Sequence, residues 1–80
     1  MPANSKEQLN YAVMMVEHIM LLRKSHNGYA SSFRSQWKGD LSQFSMQAGE
    51  VAGLSGDAKV DFARQVQIQV AQVLGLSLNS

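Results

Sequence analysis

Leu9-Asn10-Tyr11-Ala12-Val13-Met14-Met15-Val16-Glu17-His18-Ile19-Met20-Leu21-Leu22 is apolar at every position but Asn10, Glu17 and His18. Wound as an α-helix at about 100° per residue, these side chains point in nearly every direction, so the segment cannot be a surface helix with one wet face. It needs neighbours on more than one side, supplied by the rest of the chain or by a second copy of it. The longest unbroken apolar run, Tyr11 to Val16, falls far short of the roughly 18–20 residues of a membrane span.

Upstream, Ser5 followed by Gln8 has the form of a capping box, whose side chains satisfy the free backbone donors at a helix start. Downstream, Arg23, Lys24 and His26 gather where the helix dipole is negative, and Asn27-Gly28 offers a left-handed exit. A first helix is predicted over about residues 6–26. The polar amino terminus has no basic stretch leading into an apolar run and no cleavage context, so a secretory signal is not expected and the chain reads as soluble and cytoplasmic.

Beyond residue 28 comes the clearest periodicity of the chain. Ala30, Phe33, Trp37, Leu41, Phe44, Ala48 and Val51 recur at spacings of three or four and fall within an arc of about 80°, a narrow apolar seam on a helix predicted over 29–52. Gly39 is its weak point. Asp40 with Gln43 could cap a fresh helix there, but the seam stays in phase across the glycine, which favours one continuous helix.

Ala52-Gly53-Leu54 and Leu74-Gly75-Leu76 share a pattern, glycine after a helical residue and an apolar residue beyond, that suits a Schellman cap. Ser55 or Asp57 can then open a third helix over 57–74, with Phe62, Ala63, Val66, Val70, Val73 and Leu74 on an arc of about 120°. Val66 to Val70 also alternates apolar and polar, as a strand does. Without a second convincing strand to pair with, and with a glycine stop, the helix prevails. Gln69 to Ser80 has the alanine-to-glycine spacing of the first half of a helix-turn-helix, but too few residues follow Ser77 for a recognition helix, and the same residues read as a helix cap.

These segments predict an all-α, three-helix single domain over residues 1–80, with short disordered ends at about 1–4 and 77–80. So small a chain gains only roughly 3–5 kcal/mol from one core, and its lack of cysteine removes disulfides and thiolate zinc as supplements. With 45% hydrophobic and only 16% charged residues, part of the surface is expected to be covered by another chain, which points to a helical homo-oligomer. Three of the five methionines, Met14, Met15 and Met20, lie in the first helix and suit adaptable packing in a core or an interface.

Chemistry-bearing constellations are sparse. His18 and His26 are eight apart and about 80° apart around a helix, a poor arrangement for a shared metal. Ten serines make chance neighbours of a base without meaning. No glycine-rich loop lies between a strand and a helix. Asp57 and Asp61, assigned to the opening turn of the third helix, are accounted for by its dipole. No enzyme activity, metal or cofactor is expected.

The net charge of +1 hides a local excess. Arg23, Lys24, Arg34 and Lys38 lie within residues 23–38 with no acidic residue among them, interleaved with Tyr29, Phe33 and Trp37. Cations beside aromatic rings can bind single-stranded nucleic acid by stacking and phosphate contact. Because Phe33 and Trp37 belong to the apolar seam, the rings are assigned to the core and the cations to a solvated face. The function that follows is a small non-enzymatic module, a regulator, adaptor or inhibitor, that docks on a protein partner, with Arg23, Lys24, Arg34 and Lys38 as the candidate contact residues. The alternatives are nucleic-acid binding through segment 23–38 and a structural subunit of a helical assembly.

Overall fold

A computed structural model describes residues 5–26 and 32–78. Three helices make up the described fold: α1 (Ser5–Ser25), α2 (Phe33–Val51) and α3 (Gly56–Leu74), with no strand among the described residues. Each helix packs against both others. The expected start of the second helix at residues 29–31, the exit at Asn27-Gly28 and the termini 1–4 and 79–80 lie outside the described residues, as does the Ser5 side chain of the capping box. Ser77 and Leu78 follow the last helix without extending it.

α1 starts and stops where its sequence dictates. Glu7 occupies the first turn and Arg23 and Lys24 the last, each on the side its charge favours in the dipole. Ala12, Val13, Val16 and Met20 are buried in the three-helix core. α2 passes through Gly39-Asp40 without a break, so the in-phase seam outweighs the cost of one helical glycine, about 1 kcal/mol relative to alanine. In α3, Val66 and Val70 are completely buried while Gln67 and Gln69 are half-buried, as a helix places them.

Two glycine caps close the second and third helices with the same hydrogen bonds. Gly53 and Gly75 adopt φ of 81° and 71°, a region that only glycine enters without steric cost. The Leu54 amide donates to the Gly49 carbonyl and the Gly53 amide to that of Glu50, both at 3.0 Å. Leu76 donates to Ala71 at 2.8 Å and Gly75 to Gln72 at 3.2 Å. This is the Schellman arrangement, and its apolar component is present too, since Leu54 and Leu76 pack against the core.

Four details depart from the sequence pattern. Ser55 takes the N-cap position of α3 with extended backbone, but its hydroxyl makes no capping hydrogen bond. Only Asp57 lies in the first turn; Asp61 sits a turn further on, where it pairs with Arg64 at 3.9 Å. Val73 is exposed, and Ala71 takes a buried place instead. Val51, assigned to the seam of the second helix, is 88% exposed.

Candidate functional site

The displacement of Val51 has a geometric cause. The buried residues of α2 are Phe33, Trp37, Leu41, Ser45 and Gly49, one every four residues. Four residues turn a helix by about 400°, so this stripe rotates by roughly 40° at each step and winds around α2 rather than running along it. Near its end the stripe consists of the small residues Ser45 and Gly49, and at Gly49 α3 comes close. A Cβ on Gly49 would lie 2.8 Å from Cγ of Lys59 on α3. Phe44, Ala48 and Val51 keep the original direction and face α1 with decreasing cover: the first two are half-buried, Val51 almost bare.

An open apolar groove of about 580 Å³ results between the first half of α1 and the second half of α2. Buried Ala12, Val16 and Phe62 form its floor. Tyr11, Met15 and Ile19 line it from α1, and Phe44, Gln47, Ala48 and Val51 from α2. The ionisable groups among its lining residues are Glu7 and Tyr11. Such a surface can take up an apolar partner by excluding water, at roughly 25 cal/mol per Å² of apolar area, and offers no acid and base poised around a reacting atom.

The groove continues onto the outer face of α1. Between residues 8 and 22 the exposed positions are Asn10, Tyr11, Met14, Met15, His18, Leu21 and Leu22, with no Asp, Glu, Lys or Arg among them. Tyr11 is 65% and Met14 67% exposed. The all-round apolar character of the first segment therefore divides in two: one side faces α2 and α3, and the other is exposed and largely apolar, with Asn10 and His18 as its polar members. Large contiguous apolar patches are rare on soluble monomers and mark interaction sites.

The four candidate cations do not form one free basic patch. Arg23 extends to α2, where Nη1 lies 3.9 Å from Oδ2 of Asp40 and the guanidinium stands 4.9 Å from the Phe44 ring centroid. Lys24 lies 6.0 Å from the Phe33 centroid and Lys38 5.7 Å from that of Trp37. Arg34 is exposed on α2. Both rings belong to the core, Trp37 being 7% exposed, so they cannot serve as open stacking platforms; Tyr29 lies outside the described residues. Three of the cations thus lie over aromatic rings, Lys24 and Lys38 over core Phe33 and Trp37 and Arg23 over half-buried Phe44, and the larger candidate surface is one the sequence periodicity did not single out. Its signal was the surplus of apolar residues in Leu9–Leu22, more than two neighbouring helices can cover.

His18 is exposed on the outer face of α1, and His26 lies just beyond its end. Among the described residues no three His, Cys, Asp or Glu side chains group as metal ligands would, and no helix is long and apolar enough to cross a membrane. No protein-family model matches this chain, and neither the curated proteins nor the solved structures contain a match.

Proposed function

We propose that this chain is a non-enzymatic protein-binding module, which docks an amphipathic helix of a protein partner in the groove between α1 and α2. The observation that supports this reading is the apolar surface running from Val51 across the groove to Tyr11, Met14 and Met15, with Glu7 the charged residue in the groove's lining. A helix laid into such a groove buries apolar residues at i, i+3, i+4 and i+7 and leaves its polar face in water. Regulators, adaptors and inhibitors work by docking of this kind. The core position of Phe33 and Trp37 supports a protein partner over a single-stranded nucleic acid.

A photocrosslinking amino acid placed at position 51, and in parallel at position 34, tests the assignment in the native cell. Protein adducts formed from position 51, absent from position 34 and lost on adding Met15→Lys, would support the groove. Adducts formed only from position 34, or formed with nucleic acid, would overturn it and return the function to the basic segment.

A further inference from the structure

We propose that Met14, Met15 and His18 form a binding site for a soft monovalent metal ion, copper(I), on the outer face of α1. The site is independent of the groove reading, because the ion needs no partner protein. His18 is exposed, and Met14 and Met15, four and three residues before it, are 67% and 47% exposed. At about 100° per residue the two methionines lie roughly 40° and 60° to either side of the histidine, and positions three or four apart on a helix hold their Cβ atoms about 5–6 Å apart. Methionine is unbranched and flexible, so each sulfur can swing towards the imidazole between them. One ion can then take two thioether sulfurs and one ring nitrogen.

The donor set decides the metal. Thioether sulfur is a soft, uncharged ligand that selects copper(I), whereas magnesium, calcium and manganese call for carboxylate, carbonyl or water oxygen. Zinc is held by thiolate, imidazole and carboxylate. No Asp or Glu is among the exposed residues between 8 and 22, and half-buried Glu17 is turned about 100° from His18. The chain has no cysteine, so no thiolate of its own competes for a soft ion. The scaffold is firm where the ligands sit: Val13, Val16 and Met20, on the opposite side of the same turns, are buried in the core, which holds the backbone of this stretch in place before the ion arrives. Met20 serves that packing, whereas Met14 and Met15 leave their sulfur open to solvent.

NMR titration of the full chain with copper(I) under anaerobic conditions tests the site, repeated with silver(I) as a redox-inert stand-in. The expected result is saturation at one equivalent, with the largest shifts at the Met14 and Met15 methyl groups and the His18 ring, while the buried Met20 methyl stays nearly still. His18→Ala, and Met14→Leu combined with Met15→Leu, should each weaken binding by about tenfold or more, since even a residue that only supports a metal ligand commonly costs that much. All three side chains are exposed, so these variants should keep the fold, which circular dichroism verifies. His26→Ala, which changes the other histidine, should leave the affinity as it is, and zinc(II) should leave the methionine methyl groups unshifted. Met14 and Met15 methyl groups that do not move with copper(I) or silver(I) would overturn the site. So would binding that survives the double leucine change or disappears with His26→Ala.

Discussion

At Gly49 and Lys59, α2 and α3 come close together: a methyl group on Gly49 would sit 2.8 Å from Lys59 Cγ and 3.5 Å from the Lys59 carbonyl oxygen. Lys59 also reaches Glu50, Nζ to Oε2 at 3.8 Å, which holds its stem across the helix face. Gly39 is in the same helix with nothing within 4 Å of its virtual Cβ. The two glycines therefore respond oppositely to one substitution. Gly39→Ala should stabilise the fold by up to about 1 kcal/mol through helix propensity. Gly49→Ala gains the same propensity but forces the Lys59 stem aside, at a cost of about 1–3 kcal/mol, so a net loss of about 1 kcal/mol is expected. Urea denaturation of the two variants should bracket the wild type; if both were stabilised, the close approach would be refuted.

Ser45 occupies a completely buried position on the same stripe, and its hydroxyl has no hydrogen-bond partner. Such a group forfeits its bonds to water and gains none in return. Ser45→Ala removes the oxygen while leaving the close helix packing intact, and should raise stability by about 1 kcal/mol. Ser45→Leu, which restores the apolar pattern that sequence alone would favour, should instead destabilise by about 1–3 kcal/mol through overpacking. Thermal melts decide the matter, and a destabilised Ser45→Ala would count against the unpartnered hydroxyl.

These two positions explain how far the chain could be read in advance. Helix ends are written locally, in Glu7, in the Arg23-Lys24 turn and in the glycine pairs Gly53-Leu54 and Gly75-Leu76, so their limits are legible to within a few residues. The path of the buried stripe is not local. Ser45 and Gly49 carry no hydrophobic signal, yet both are buried, Gly49 where α3 comes close at Lys59, while Val51 on the apolar seam is exposed. A groove is a space between elements, and no periodicity in either helix encodes it. What the sequence did reveal was the excess it must serve, the apolar residues of Leu9–Leu22 left over after the core is filled.

Arg23 and Asp40 join the end of α1 to α2, 3.9 Å apart, with Asp40 Oδ2 shielded from solvent and without a hydrogen bond. At that distance the pair is a charge contact rather than a bonded bridge, and Arg23 is partly exposed, so the interaction itself is worth no more than about 1 kcal/mol. Removing one partner costs differently from removing both. Arg23→Ala leaves the shielded oxygen without its counter-charge and strips cover from Phe44, and should cost about 1–2 kcal/mol. Asp40→Ala should cost less, and the double variant should be more stable than the sum of the two losses implies. Strict additivity in a double-mutant cycle would mean the two groups are not coupled.

Trp37 provides a spectroscopic test of how the basic segment is used, because it is the only tryptophan and lies in the core beneath Lys38. Its emission should be blue-shifted and resist quenching by iodide or acrylamide, and it should remain so when single-stranded DNA or RNA is added. Arg34→Glu together with Lys38→Glu should cost no more than about 1 kcal/mol, since both side chains are exposed and the interaction lost is the Lys38–Trp37 cation–π contact. If an acidic protein surface approaches this end of the bundle, the same double variant should slow its association in a salt-dependent way and leave dissociation nearly unchanged. Red-shifted emission that nucleic acid quenches, with affinity falling steeply as salt rises, would instead place the aromatic rings at the surface and make the segment a nucleic-acid site.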